Sequence, residues 1–272
     1  MKISTVKKVF AAGAVLAAAA VLFTGCNGDS SVEGKNSINI GTGGAAGTYH
    51  PIGTAMAEIL TQEIYGTEAN AQNTGASVVN LKMLGDGTLD LATVQNDIAY
   101  YAANGTEMFK DEKVEGLKGI AALYPETCQF VTLRSSDITS IADLKGKRVA
   151  VGVVGSGVEA NARQILAAYG VTYDDIDEQF LSFAQGARAL KDGSVDAAIL
   201  TAGYPTASVQ DVVAQNPIRL LPVERQALLL SATAGAAAVR MAEELFAPRL
   251  IRVESTAASY ENYYHIVPFR DK

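Results

Sequence analysis

The chain has 272 residues, of which 49% are hydrophobic and 19% are charged. This composition excludes a disordered or collagen-like chain. Acidic residues outnumber basic ones by 29 to 22, so the surface lacks the positive charge that a nucleic-acid partner requires. Two histidines, two cysteines and no tryptophan leave little material for a metal or haem site or for a stacking platform. We therefore expect no cofactor, no metal site and no nucleic-acid partner.

The N-terminus carries the features of an export signal. Lysines within the first eight residues precede an uncharged apolar run at residues 9–23, which is shorter than the ~20 residues of a membrane-spanning helix. The run ends in Thr-Gly-Cys, which resembles the lipobox of bacterial lipoproteins. We predict a signal peptide over residues 1–25, a lipid anchor on Cys26 and a flexible Gly/Ser/Asn-rich tether over residues 26–37. The alternative is an ordinary signal peptide cut elsewhere; both place the protein outside the cytoplasm, anchored at the membrane or periplasmic.

Hydrophobic periodicity predicts alternating strands and helices after the tether. Apolar residues at helical spacing follow a glycine-rich loop, and short apolar runs end in Gly, Pro or Asn. In chain order the pattern predicts a strand at 37–40, helices at 52–64 and 77–84, a strand at 89–94, a helix at 98–103 and a strand at 119–123. The second half predicts a strand at 147–153, a helix at 158–169, a helix ending at 187–190 and a strand at 195–200.

Two segments of the chain repeat one another. LGDGTLDLATVQ (84–95) and LKDGSVDAAILT (190–201) align without gaps and share two aspartates each. The repeat favours two equivalent α/β lobes, at 38–125 and 126–223, although helix–Gly–strand junctions recur in any βα-rich chain. Because ligands of open parallel sheets bind beyond the carboxyl ends of the strands, facing lobes would enclose one cleft. This is the geometry of a hinged solute-binding protein.

The loops at these strand ends are suited to anions. The Gly41–Gly47 loop holds four glycines in seven residues and precedes a helix, and Gly155-Ser156-Gly157 offers the same device in the second half. Backbone amides at a helix N-terminus favour negative charge, so two such loops suit a small carboxylate. The alternatives are that the loops only make tight turns, or that Gly41-x-Gly43-x-x-Ala46 is a dinucleotide fingerprint in an exported nucleotide-binding enzyme.

Catalytic motifs are missing from the sequence. It contains no P-loop Gly-Lys-Ser/Thr and no Gly-x-Ser-x-Gly elbow, so we expect no catalytic residues and no enzyme activity. Polar side chains at the strand ends would instead supply specificity. Tyr49, Tyr124 and Tyr204 could form a flat wall. Gln95 and Asn96 could donate hydrogen bonds to ligand carboxylate oxygens. Glu126 and Glu159 could accept a ligand ammonium or serve as N-cap or surface acids. Ser77 and Asn80 are cap or first-turn residues of a helix, and possible ligand contacts.

Several motifs together resemble a known family. The runs INIGTGGAAGTYHPIGTAMAEIL, NTGASVVNL, LDLATVQNDIAYYA, ALYPE, SIADLKGKRVAVGVVGSGVEANARQIL and AAILTAGYPTASVQD occur in this order between Ile38 and Val223. They resemble the TAXI-type solute-binding proteins of tripartite ATP-independent periplasmic (TRAP) transporters. The resemblance implies an α/β, two-lobed type II periplasmic-binding-protein fold. It also implies delivery of an organic anion, such as glutamate or 2-oxoglutarate, to a sodium-driven TRAP permease.

The matching motifs also imply a set of ligand contacts: Thr42, Gly43, Gly44, Thr48, Tyr49, Gln95, Tyr124, Ser156, Gly157, Thr201 and Tyr204. No family motif follows about residue 225, so we expect residues 224–272 to be divergent or truncated and to return toward lobe 1. The leading interpretation is an extracytoplasmic receptor that closes two lobes on a small carboxylate or acidic amino acid. An exported nucleotide-binding enzyme and an adhesion lipoprotein without a small ligand stay open at this point.

Overall fold

A computed structural model describes residues 36–223 and, beyond them, the three strands Ile251–Ser255, Glu261–Asn262 and Tyr264–Pro268. The predicted signal peptide, Cys26 and most of the tether lie outside the described residues. So does most of the segment 224–272.

The N-terminal half, residues 36–104, builds a three-stranded parallel sheet. Its elements are β1 (Asn36–Gly41), α1 (Tyr49–Glu63), β2 (Thr67–Gln72), α2 (Ser77–Gly85), β3 (Leu91–Ala92) and α3 (Asn96–Asn104). Strand β1 lies between β2 and β3. Parallel strands need crossover connections, and helices supply them here. A short 3-10 helix at Glu107–Phe109 follows, and Phe109 is fully buried beside Ile98 and Leu81.

The C-terminal half, residues 126–220, builds a mixed sheet. Its elements are β4 (Glu126–Leu133), β5 (Arg148–Ala150), α4 (Gly157–Ala168), β6 (Asp177–Gln179), α5 (Phe183–Asp192), β7 (Ala197–Ala202), α6 (Ala207–Val213) and β8 (Ile218–Leu220). Strand β5 runs parallel to β7 and to β6, whereas β4 runs antiparallel to β7 and also pairs with β8. Two apolar clusters cover the faces of this sheet: one includes Phe130 and Leu166, and the other includes Leu190.

The aspartates of the sequence repeat accept equivalent hydrogen bonds in both halves. Asp90 Oδ2 accepts the N–H of Asn39 on β1, and Asp196 Oδ2 accepts the N–H of Arg148 on β5, each at 2.8 Å. Asp86 accepts the N–H of Thr88 two residues on, as Asp192 does from Ser194. The two halves are therefore equivalent in the turn before the strand and in the clamp onto the neighbouring strand.

The predicted strand at 119–123 is wrong. These residues form no regular element, and Ile120 and Leu123 are 72% and 50% exposed. The strand begins instead at Glu126, in a segment whose mixed polar and apolar residues the periodicity did not reveal. Strands β2, β6 and β8 were also missed, whereas the predicted strands at 37–40 and 195–200 and the helices at 52–64, 77–84, 98–103 and 158–169 appear within a few residues of their predicted bounds.

The far end of the chain contributes three strands. Strand β10 (Glu261–Asn262) pairs with Glu126 and Thr127 of β4, and β9 (Ile251–Ser255) pairs with β11 (Tyr264–Pro268). Strand β10 thus joins the sheet of the C-terminal half. Within the part of the chain that the structure describes, no helix has the length and apolar character needed to cross a bilayer.

Candidate functional site

A pocket of about 200 Å³ lies where the two halves meet. On this measure a cavity needs about 10–15 Å³ to hold one water, so the pocket has room for a small organic molecule. Its wall comes from the loops that follow β1, β2, β3, β5 and β6, from the last residues of β7, and from Glu126 at the start of β4. The carboxyl ends of strands from both sheets therefore face one space, as the sequence repeat predicts.

Five helices begin at the wall of this pocket. The first turns or caps of α1, α2, α3, α4 and α5 contribute the lining residues Thr48, Ala76, Gln95, Ser156 and Ser182. Each helix start carries backbone N–H groups without intrahelical partners and a partial positive charge. Helix starts from both halves thus give this pocket a positive, donor-rich wall built mainly of backbone.

Most residues predicted as ligand contacts lie on the pocket wall. They are Gly43, Gly44, Thr48, Tyr49, Gln95, Ser156, Gly157 and Thr201, together with Glu126 from the wider set. Ser156 is the N-cap of α4, where its Oγ accepts the N–H of Glu159 at 3.2 Å. The contacts of these residues with a ligand stay predictions.

Three predicted contacts lie beneath the wall, where Thr42 and Asn80 hold the glycine loop and Ser77 holds the start of α3. Thr42 is fully buried, and its hydroxyl donates to the carbonyl of Gln72 at 2.6 Å. The Asn80 amide donates to the carbonyls of Thr42 and Thr93, at 2.7 and 2.9 Å. Ser77 Oγ accepts the N–H of Gln95 at 3.0 Å. Their buried positions and hydrogen bonds make them supports for the wall, and their direct contact with a ligand stays a prediction.

Three more predicted residues also lie off the wall. Tyr204 is 77% exposed and is not among the lining residues. Glu159 pairs with Arg163 at 2.6 Å and accepts the hydroxyl of Tyr173 at 3.0 Å, so its carboxylate serves α4. Tyr124 does not line the pocket; its hydroxyl donates to Glu126 at 3.1 Å. It therefore reaches the site through that carboxylate.

Glu126 lies at the pocket although it is at the start of a strand and not at its carboxyl end. It starts β4, yet β4 is antiparallel to β7, so its first residues lie at the carboxyl end of β7, where Thr127 pairs with Ala202. The hydroxyls of Tyr49 and Tyr124 donate to the two carboxylate oxygens, at 2.9 and 3.1 Å. Burial raises the pKa of Glu126 to about 8, and the charge of Asp97 adds to the effect.

A buried polar network lies beside the pocket and joins the halves. Asn161 on α4 donates to Asp97 Oδ2 at 2.7 Å, and its Oδ1 accepts from Gln95 Nε2 at 2.5 Å and from Thr201 Oγ1 at 3.1 Å. Burial raises the pKa of Asp97. Burial also raises the pKa of the Cys128 thiol, which lies 3.2 Å from Thr201 Oγ1, to about 12. Cys128 is therefore a protonated thiol at neutral pH.

Comparison with known protein families assigns this chain to one of them. A profile of the NMT1-like family matches residues 40–244, which is most of the chain. The chain belongs to the NMT1-like family.

Solved structures resemble this NMT1-like chain at low identity. A protein from Bordetella bronchiseptica RB50 is 17% identical with a TM-score of 0.52, over 76% of this chain and 70% of its own. The alkanesulfonate-binding protein SsuA from Xanthomonas axonopodis pv. citri, bound to MOPS, is 20% identical with a TM-score of 0.47, over 76% and 74%. A putative L-cystine ABC transporter protein from Listeria monocytogenes is 17% identical with a TM-score of 0.48, over 77% and 95%. The predicted α/β fold class, with two lobes and a cleft between them, is confirmed.

The sequence also carries signals for pocket residues of this NMT1-like protein that were missed. Leu181, Phe183 and Ala184 line the pocket from the start of α5. The Ser182-x-x-Gln185 capping box marks that helix start, because each side chain binds the other residue's backbone N–H.

Ala76, at the cap of α2, also lines the pocket and was missed. Its backbone has φ 67° and ψ −148°, a region that L-residues rarely adopt. Ala76 therefore places a strained backbone conformation at the pocket wall.

Proposed function

We propose that this protein is an extracytoplasmic solute receptor that binds a small carboxylate between its two halves and delivers it to a membrane permease. The observation that carries the proposal is the convergence of five helix starts and a glycine-rich loop on one pocket. Unpaired backbone N–H groups and helix dipoles favour an anion there.

The ligand would be held from both sides. The Gly43–Tyr49 wall belongs to the N-terminal half, and Ser156 to Val158 belong to the C-terminal half. Direct contacts already join the halves at this edge: Val79 N–H donates to the carbonyl of Gly155 at 3.2 Å, and Gly203 N–H donates to Thr48 Oγ1 at 3.3 Å. A ligand stabilises a closed state only through contacts that an open state lacks, so contacts on both walls would couple binding to closure.

The finer part of the proposal rests on the motif resemblance. It supports a TAXI-type receptor of a sodium-driven TRAP permease, with glutamate, 2-oxoglutarate or a related carboxylate as ligand. It also supports anchoring through an acylated Cys26 and lobes at 38–125 and 126–223. Mass spectrometry of the membrane-extracted protein tests the anchor, since acylation adds a defined mass to Cys26.

Isothermal titration calorimetry with a panel of carboxylates and amino acids tests the receptor function. Binding of at least one carboxylate by the folded protein is the expected result. NAD and ATP belong in the same panel, because a response to either would favour a nucleotide-binding enzyme built on the Gly41–Gly47 loop. Failure of every carboxylate to bind would refute the proposal.

Gly44→Leu offers a sharp variant for this test. Gly44 lines the pocket, and no atom lies within 4 Å of the position its Cβ would occupy. The leucine side chain should therefore enter open space, leave the fold intact and reduce ligand affinity. Ala122→Leu, in an exposed loop outside the pocket wall, is the matched control and should leave affinity unchanged.

A further inference from the structure

Glu126 gives the pocket a feature that a simple anion site does not need. Among the described residues that line the pocket, it is the one Asp, Glu, Lys, Arg or His residue. Its two oxygens each accept one phenol hydrogen bond, from Tyr49 on α1 and from Tyr124 in the preceding loop. A carboxylate offers about four lone-pair positions, so acceptor capacity remains for a ligand donor.

The ring of Tyr49, which lines the pocket beside Glu126, makes this place suitable for a cation. An aromatic ring beside a carboxylate attracts an ammonium group through its negative face, in addition to the ion pair. The ring of Tyr124 packs against that of Tyr49, with centroids 6.4 Å apart and ring planes at 65°. A cation here would also offset the burial that raises the pKa of Glu126 to about 8.

A second part of the wall has a different character. Leu181 and Phe183 come from the start of α5, and Val158 comes from the first turn of α4. Phe183 reaches across to the glycine-rich loop: a Cβ on Gly47 would lie 3.5 Å from its ring. No lysine, arginine or histidine is found among the lining residues that the structure describes. A second carboxylate on the ligand would therefore find no cationic side chain among these residues and would share the pocket with Glu126.

We propose that the pocket selects zwitterionic α-amino acids with uncharged side chains, with Glu126 binding the ammonium group and helix starts binding the carboxylate. The inference rests on the proposed receptor function and narrows its ligand class. It places 2-oxo acids and dicarboxylates below amino acids of similar size. The apolar wall of Leu181, Phe183 and Val158 then contacts the ligand side chain.

Calorimetry with matched ligand pairs tests the inference. Leucine and 4-methyl-2-oxopentanoate share a carbon skeleton and differ in the ammonium group, as do glutamate and 2-oxoglutarate. We expect leucine to bind at least about 30-fold more tightly than its 2-oxo analogue, since a buried charge-assisted contact is lost. Leucine should also bind more tightly than glutamate.

Glu126→Gln separates the ammonium contact from the rest of the site. The amide retains the shape and can still accept one phenol hydrogen bond, so the fold should persist. The variant should lower affinity for leucine about 30-fold or more while leaving 4-methyl-2-oxopentanoate unchanged or improved. Glu159→Gln is the matched control, because that carboxylate faces Arg163 and Tyr173, and it should change neither affinity.

The outcomes distinguish the two proposals. Equal binding of leucine and its 2-oxo analogue, or tighter binding of the 2-oxo acid, would overturn the ammonium site and leave the receptor function standing. Loss of both ligands in Glu126→Gln, in a variant with unchanged thermal unfolding, would also overturn it. Binding of no carboxylate at all overturns both proposals.

Discussion

Replacing Glu126 by glutamine should stabilise the ligand-free protein at alkaline pH. The ordinary pKa of a glutamate carboxyl is 4.5, and burial raises the pKa of Glu126 to about 8. Between these values the unfolded chain releases the proton and the folded chain retains it. The free energy of unfolding therefore falls as pH rises from about 4.5 and levels off above about 8. Glutamine does not titrate, so the free energy of unfolding of the variant lacks this decrease with pH.

The magnitude follows from the distance between the two pKa values. At about 1.36 kcal/mol per pKa unit, the step from 4.5 to about 8 corresponds to about 5 kcal/mol. Solvent reaches the half-buried carboxyl group and screens part of this cost. We expect Glu126→Gln to gain about 2–5 kcal/mol over the parent protein between pH 5 and pH 9.

Urea unfolding of both proteins at several pH values between 5 and 9 measures this difference. The ionisable groups that interact with Glu126 are present in both proteins, so the comparison isolates the one carboxyl group. These groups are Tyr49, Tyr124, Asp97 and Cys128. A constant difference in stability across this pH range would refute the reasoning. A variant less stable than the parent at pH 9 would refute it as well.

Asp143→Ala provides a control of opposite sign. Hydrogen bonds from Thr139 and Ser140 lower the pKa of Asp143 to about 2. Its contribution to stability is present above the ordinary value of 3.8 and is lost as pH falls toward about 2. The variant should therefore be less stable than the parent at neutral pH, and the two should converge in acid.

Three further substitutions follow from the site geometry. Gly157→Ala should cost about 1–3 kcal/mol and weaken ligand binding, because its Cβ would lie 1.9 Å from Gln95 Oε1 and displace that side chain; an unchanged melting temperature and affinity would contradict this. Asn161→Leu should lower the free energy of unfolding by about 3 kcal/mol or more, since it leaves Asp97 buried without its amide donor; chemical unfolding near pH 7 measures the loss. Ala76→Gly should raise the melting temperature, because glycine relieves about 1–3 kcal/mol of strain at φ 67°; a lower melting temperature would count against stored strain.

The repeated turns and the glycine loop carried enough local information to place much of the fold. In both halves an Asp-Gly turn precedes a strand and an aspartate clamps the neighbouring strand. Local sequence could not reveal β4. The apolar residues 119–123 fit a strand pattern, yet Ile120 is exposed. The strand that forms has its order and direction set by pairing with β7, a non-local contact.

The candidate site divides in the same way. The glycine loop and the Ser156-Gly157 turn were predictable, because their chemistry lies in short segments that end strands and begin helices. The position of Glu126 depends on the direction of its strand. The hydrogen bonds of Asn161 to Gln95 and Asp97 join residues that are 66 and 64 positions apart in the sequence. Neither leaves a periodic or local signal. Thr42 and Asn80 belong to conspicuous segments but act as supports.

The part of this pocket that we propose binds an anion consists mainly of main chain at helix starts. Point mutations alter side chains and leave those amides in place, so this part is inherited with the fold itself. Under the proposed function, a change of ligand among descendants of such a protein must then act on the lining side chains, above all Glu126, Leu181 and Phe183. Exchanging this trio between relatives would change the bound ligand without rebuilding the scaffold.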